Sequence, residues 1–297
     1  MTIPKASSVA KVEVIRTDTF LDRLSGIGGI PKGKITEVWG DSGVGKSSVC
    51  LQAVAGAQRG KQRVLWADVE WYYDPVYAAK MGVNNDQLDL LRDPSAEEIL
   101  NVIEKEVSAG NYDLVFLDSV GALRSDREAE KEAGQKTIGV QAGLLSPFLR
   151  RIVSKLVLKN TALVVINHSF TDIMSGAIKT SGGKKLEYHR SLSIRLKQRT
   201  GANVIKQGDK RVGTVVVGQV KRNKLAGNEG MEVEASFMFD VGFVSGLDVV
   251  QEAIDRGVLE RQGNTYWMDG EKLGMIGKIR EMAKEEEFVQ RLKTRLV

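Results

Sequence analysis

Runs of apolar residues alternate with amphipathic stretches along most of the chain, and their periods separate strands from helices. Lys34-Ile-Thr-Glu-Val-Trp39 reads as a strand, and Ser48 to Ala57 carries apolar groups at helical spacing. Arg63 to Glu70 is a further strand, ending in acids. Tyr112-Asp-Leu-Val-Phe-Leu-Asp118-Ser119 is a continuous apolar run closed by Asp118, the pattern of a central parallel strand covered on both faces. From Val140 to Leu158 the apolar positions fall on one side of an amphipathic helix, with Arg150, Arg151 and Lys155 elsewhere around it and an interior Pro147 that predicts a kink. Thr161 to Ile166 is a buried strand that leads into Asn167-His168. Leu192 to Leu196, Val212 to Val220 and Val233 to Asp240 read as additional, more antiparallel strands.

The pattern changes around Gly246. Leu247 to Ile254 is helical, Arg261 to Trp267 is a hairpin candidate, and Leu273 to Val297 is charged and helical. The expected division is a short leading segment over 1–35, a core over 36–245 and a small α+β domain over 246–297. The fold class is α/β, with a mostly parallel central sheet flanked by helices.

Composition narrows the partners. A chain of 297 residues with 42% apolar content can bury a full core. No run of about 18 apolar residues predicts a membrane span, and the first residues lack the pattern of a secretory signal, so the expected location is cytoplasmic, or its viral equivalent. The single cysteine, Cys50, rules out an internal disulfide and a multi-cysteine zinc site, and its place in the helix after residue 48 suits a small buried residue. A net charge of +5 is compatible with nucleic acid. Basic residues cluster at Arg150-Arg151, from Lys179 to Arg199 and at Lys221-Arg222-Asn223-Lys224. Each is either a solvated face or part of a polyanion site.

The strongest chemical signal is Gly40-Asp41-Ser42-Gly43-Val44-Gly45-Lys46-Ser47-Ser48, which fits G-x-x-x-x-G-K-[ST]. Glycines let backbone N–H groups curl around phosphates, while the lysine and the hydroxyl reach the outer phosphates and a magnesium ion. The motif stands between a strand and a helix N-terminus, where the helix dipole favours an anion. The site therefore calls for a nucleoside triphosphate and Mg2+, with Ser47 and Asp118 as the metal's protein partners. Hydrolysis needs a carboxylate to orient and deprotonate water, and Glu70 is placed in sequence to be that base. Asp68 is a brace or cap for the strand end, or a solvent-facing acid like its neighbour.

Together with the phosphate loop, the segments Ile27 to Val38, Asp68-Val-Glu70, Asp74-Pro-Val-Tyr77 through Val83, and Leu117-Asp-Ser-Val-Gly-Ala-Leu123 resemble the RecA recombinase family in its bacterial and phage forms. The resemblance runs from about Val12 into the C-terminal region. It implies a RecA-like P-loop core in which Asp74 and Tyr77 lie against the nucleotide base, Glu70 activates water and Asp118 supports the metal. It also implies that Arg222 and Lys224 reach phosphates bound by a neighbouring subunit, their alternative being a solvated basic turn. Two DNA-contacting loops would correspond to 126–143 and 169–183. Ile138, followed by Gly139, in the first and Ile173 or Met174 in the second are candidate wedges between bases, or else ordinary loop anchors. Ser181, Gly182 and Gly183 offer backbone to phosphate, and Arg150 aligns with a phosphate-contacting position. His168 stands where many relatives carry glutamine, on the strand that senses the outer phosphate.

Departures from the family pattern qualify this expectation. Eleven residues precede Val12, too few for the helix that docks on a neighbouring subunit; Gly143 replaces a common arginine; the second loop is about three residues short; and the tail is basic. The resulting expectation is a DNA-dependent ATPase that forms a homo-oligomeric filament on single-stranded DNA and exchanges strands with homologous duplex DNA. The alternatives are an accessory DNA-binding ATPase without strand exchange and a helicase-type motor.

Overall fold

The computed structural model describes residues 7, 11–123, 140–172, 176–199, 204–207, 209–283 and 285–296. They divide into two compact units, Met1–Lys197 with Gly218–Glu232, and Gln198–Val217 with Val233–Val297. The sequence had suggested boundaries at 35/36 and 245/246 instead. Residues 198–217, assigned there to the core, fall in the second unit.

The first unit opens with a two-stranded ribbon, β1 (Val14–Ile15) and β2 (Ile30–Pro31), around α1 (Phe20–Ser25). Then come β3 (Ile35–Gly40), α2 (Lys46–Arg59), β4 (Val64–Asp68), α3 (Pro75–Lys80), β5 (Leu88–Leu91), α4 (Ala96–Ala109) and β6 (Leu114–Asp118). After the undescribed segment follow α5 (Val140–Lys159), β7 (Ala162–Thr171), β8 (Ile178–Thr180), α6 (Gly183–His189) and β9 (Arg190–Gln198).

Six strands lie in the order β9-β3-β7-β6-β4-β5, every neighbouring pair parallel. Strand β9 corrects the expectation of an antiparallel strand over 192–196, because Thr36 pairs with Leu192 and Gly40 with Leu196 in parallel register. The physical reason is the connection from β7, which is long enough to carry the chain back across the sheet through β8 and α6. Strand β7 also runs beyond Ile166, and its end forms an antiparallel ribbon with β8, Ser169 opposite Thr180 and Thr171 opposite Ile178. Part of the expected second loop is thus strand.

Burial explains why the apolar runs become strands. All of β3 and β4 is buried, and Leu114, Val115, Phe116 and Leu117 of β6 are fully enclosed, as both faces of a parallel sheet require. Helix α4 is set by its ends and one face. Ser95 Oγ accepts from Glu98 N at 3.2 Å, and Gly110 closes the helix at φ +76°. Such an N-cap contributes about 1 kcal/mol. Ile99, Leu100, Ile103 and Val107 face the core, where Leu145, Phe148, Leu149, Ile152 and Leu156 of α5 join them. The α5 helix continues through Pro147, and its Arg151 and Lys155 both pair with Glu104 of α4, at 2.7 and 2.6 Å.

The second unit contains β10 (Val204–Gln207), antiparallel to the first half of β11 (Lys210–Asn223), and β12 (Glu232–Met238), antiparallel to β13 (Gly242–Phe243). Helix α7 (Ser245–Asp255) precedes a three-stranded sheet of β14 (Glu260–Gln262), β15 (Thr265–Met268) and β16 (Glu271–Met275), and α8 (Ile276–Met282) and α9 (Glu286–Leu296) complete it. The hairpin foreseen at 261–267 is β14-β15. Residues 273–275, read as helical, are the end of β16, which pairs with β15. This sheet and its helices enclose their own core of Val250, Leu259, Tyr266, Leu273, Phe288 and Leu292. Among the described residues, no helix is long and apolar enough to cross a membrane.

Candidate functional site

The carboxyl ends of β3, β4, β6 and β7 come together because the strands are parallel and adjacent, and the loop from β3 to α2 lies over them. Gly40 allows the loop to leave the sheet: a Cβ there would stand 2.1 Å from the Leu196 carbonyl oxygen. Gly43 and Gly45 adopt left-handed φ of +74° and +82°, which turn the backbone into a curl. Ser42 and Gly43 are exposed, whereas Val44 is buried under the loop.

Lys46 begins α2 and is 6% exposed. Its Nζ donates to the carbonyls of Gly40 and Asp41 at 3.1 and 2.8 Å. Burial pulls its ammonium below the ordinary lysine range, opposed by the negative charges of Asp118, Glu70 and Asp41. Ser47 Oγ donates to Asp118 Oδ2 at 3.0 Å. Burial raises the Asp118 carboxyl to about 7, the Ser47 bond and Lys46 acting against the shift and Glu70 and Asp68 adding to it. A hydroxyl and an under-compensated carboxylate at the foot of a phosphate loop are the donor set that suits Mg2+.

Glu70 follows β4. Its Oε1 accepts from the buried Ser119 Oγ and lies 3.2 Å from His168 Nε2. The sequence placed Glu70 and His168 at the site but did not foresee Ser119 as their companion, although it adjoins Asp118 in the quoted motif. Asp68 is the brace rather than a solvent-facing acid. It is 2% exposed, accepts from the backbone N–H of Tyr72 and Tyr73 at 3.1 and 3.0 Å, and pairs with Arg92 at 2.7 Å. Arg92 carried no signal in the sequence.

Ser48 Oγ and Tyr77 Oη are 2.6 Å apart, which fixes the Tyr77 ring beside the start of α2. Asp74 caps α3 by accepting from Val76 N at 2.8 Å. Asp41, exposed at the loop, accepts from Ser169 Oγ and so touches the strand that carries His168.

Beneath His168 lies a buried polar network that periodicity could not reveal. Glu37, fully enclosed on β3, accepts from Arg190, from Ser193 Oγ at 3.0 Å and from Asn167 Nδ2 at 3.0 Å. The same Asn167 Nδ2 donates to the Ser181 carbonyl at 2.8 Å. The end of the second loop is therefore tied to the strand under the phosphate loop. Gly182 is buried, with Leu145 and Leu186 each 3.0 Å from where its Cβ would be, so it serves packing; Gly183 is exposed. Ile138, Gly139, Ile173 and Met174 lie outside the described residues.

Arg150 sits on the exposed side of α5. Arg222 and Lys224 are exposed on either side of buried Asn223. Asn223 locks the turn: Nδ2 donates to the Ser25 carbonyl and to Asn228, while Oδ1 accepts from the N–H of Leu225 and Ala226. The two cations make local contacts, Arg222 with Glu229 at 3.2 Å and Lys224 with the Tyr188 carbonyl at 2.5 Å. Lys46, Glu70, Asp118 and His168 thus form one cluster, whereas Arg222 and Lys224 contact Glu229 and Tyr188.

A family model described as the RecA N-terminal domain matches residues 1–244. The chain is 35% identical over 268 residues to Protein RecA of Thermus aquaticus, covering 89% of this chain and 78% of that protein. It belongs to the RecA recombinase family. Protein RecA of Paenarthrobacter aurescens (strain TC1) is 32% identical over 289 residues, covering 95% of this chain and 82% of its own. Among solved structures, one titled as the RadB recombinase superposes with a TM-score of 0.58 at 21% identity, over 77% of this chain and 98% of that one, which shows a shared fold. In the RecA family setting, the cluster at the β3–α2 loop is the candidate nucleotide site.

Proposed function

We propose that the chain is an ATP-dependent DNA recombinase that assembles on single-stranded DNA and exchanges strands with a homologous duplex, in the cytoplasm. The observation that supports this most is the convergence of Lys46, Ser47, Glu70, Asp118 and His168 at the ends of four parallel strands. Lys46 and the curled backbone bind the outer phosphates of ATP. Ser47 and Asp118 would hold a magnesium ion, which would supply charge neutralisation at those phosphates. Glu70 orients and deprotonates the attacking water, and Ser119 and His168 fix its carboxylate. Tyr77 flanks the base, with Asp74 at the start of the same helix.

Arg222 and Lys224 act on the phosphates held by a neighbouring copy, since in their own chain they stay on a separate, locally tied turn. His168 and the bond from Asn167 to Ser181 relay the state of the phosphate site to the second loop. Arg150 and Gly183 contact the DNA backbone.

Electron microscopy with single-stranded DNA and a slowly hydrolysed ATP analogue tests the reading. Filaments on extended DNA, with strand exchange in a paired assay, are the expected result. Filaments without exchange would make the protein an accessory ATPase, and discrete rings a motor.

A further inference from the structure

The segment from Tyr73 to Tyr77 carries the two side chains assigned to the nucleotide base, Asp74 and Tyr77, yet packing does little to hold it. Asp74, Pro75 and Val76 are exposed. An open cleft of about 270 Å³ runs along the segment, lined by Tyr73, Pro75, Asn85, Leu88, Leu90 and Arg92. A loop with so little covering it keeps its conformational freedom unless hydrogen bonds remove it.

Hydrogen bonds fix it on both sides of Asp74. The Tyr73 backbone is pinned twice, its N–H donating to Asp68 at 3.0 Å and its carbonyl accepting from Arg92 Nη2 at 3.0 Å. The remaining tie comes from outside the segment. Asn85 Oδ1 accepts from Tyr73 Oη at 2.6 Å, and Asn85 Nδ2 donates to the Pro75 carbonyl at 3.0 Å. One side-chain amide thus uses both of its ends, on the residues before and after Asp74. The Tyr73 ring stands 6.2 Å from that of Trp66, centre to centre, and burial pushes its phenol up to about 12, so the hydroxyl keeps its proton and stays a donor at neutral pH. Asp74 in turn accepts from Val76 N at 2.8 Å, so its carboxylate follows the backbone that the amide fixes.

We propose that Tyr73 and Asn85 are positioning residues for the nucleoside end of the substrate: the bridge from Tyr73 through Asn85 to Pro75 holds Asp74 and Tyr77 where they receive the base, while the β3–α2 loop holds the phosphates independently. The assignment rests on reading this cluster as an ATP site with Asp74 and Tyr77 at the base. Its physical content is a population. Without the bridge the segment visits other conformations, and apparent affinity for a ligand that needs Asp74 and Tyr77 falls in proportion to the fraction still in place. A ligand made only of phosphates is indifferent to that fraction.

The test compares ATP with inorganic tripolyphosphate, both with magnesium, by calorimetric titration of the full chain at a concentration where it is unassembled. Wild type should bind ATP more tightly, and the ratio of the two dissociation constants reports the nucleoside end alone. Tyr73→Phe removes only the hydroxyl. It should weaken ATP about fivefold, the scale of one net hydrogen bond, and leave tripolyphosphate within about twofold. Asn85→Leu, similar in size but without donor or acceptor, should weaken ATP about tenfold, again with little change for tripolyphosphate. If Asn85→Leu fails to fold, Tyr73→Phe carries the comparison. A wild-type preference for ATP that the variants keep in full overturns the bridge and leaves the nucleotide reading standing. Equal losses for both ligands also overturn it, because they mark damage to the fold and not positioning. A wild type that binds tripolyphosphate as tightly as ATP overturns the base assignment and this inference together.

Discussion

The phosphate-loop cluster and the basic turn at 221–224 are built on opposite principles. In the first, side chains from four strand ends are drawn into one partly buried site, where Asp118 and Glu70 act on Lys46 and where Lys46 and Glu70 act on Asp118. In the second, one buried asparagine secures the backbone and the charges on either side stay in solvent. Burial makes each charge in the first cluster matter strongly, because low dielectric amplifies both desolvation and attraction. Exposure leaves the second able to act only when something covers it. A partly buried charge cluster at the phosphate-loop motif and an exposed cationic turn on one chain are what the proposed activity, shared between copies, requires.

The contrast breaks most completely at Lys46. Lys46→Ala should abolish tight ATP binding, measured by titration with a fluorescent nucleotide, and with it all ATP-dependent assembly. Replacing both Arg222 and Lys224 with alanine should leave nucleotide binding by isolated subunits intact while DNA-stimulated hydrolysis falls about a thousandfold. Mixing sharpens the point: the double variant, which keeps Glu70, should regain hydrolysis beside Glu70→Gln partners that supply the cations. Co-assembled mixtures that stay inactive would return the turn to a solvated loop.

Glu70→Gln alone keeps shape and removes the base. Steady-state turnover should drop about a hundredfold while ATP and DNA binding persist. Unchanged turnover would take Glu70 out of the chemistry.

The smallest effect is on stability. The Asp118 carboxyl titrates near 7 in the folded protein and near 3.8 when unfolded, so the folded state holds its proton more tightly. The Asp118 contribution is fully present below about pH 4 and is lost as pH rises through about 7. Asp118→Asn should remove that component, so that at pH 8 without nucleotide or magnesium the variant melts several degrees above wild type, at roughly 2–4 °C per kcal/mol. The variant should also lose the magnesium-dependent part of nucleotide binding. A melting temperature with the same pH dependence in both proteins would contradict the charged, under-compensated state of this carboxyl.

The amino-acid sequence by itself determined the chemistry that is local. A phosphate loop needs its glycines, lysine and hydroxyl within nine consecutive residues, and a buried parallel strand needs an unbroken apolar run, so Gly40 to Ser48 and Leu114 to Asp118 were legible at once. Tertiary structure decided what depends on distant partners. The direction of β9 follows from where its long connection lands, and its apolar pattern is blind to that. Asp68 became a brace only because Arg92 and the N–H groups of Tyr72 and Tyr73 converge on it. Ser119 found Glu70 across 49 positions, and Glu37 found Asn167 across 130. A polar residue buried among apolar ones has no periodic signature, because its place is set by the hydrogen-bond partners that the fold delivers to it.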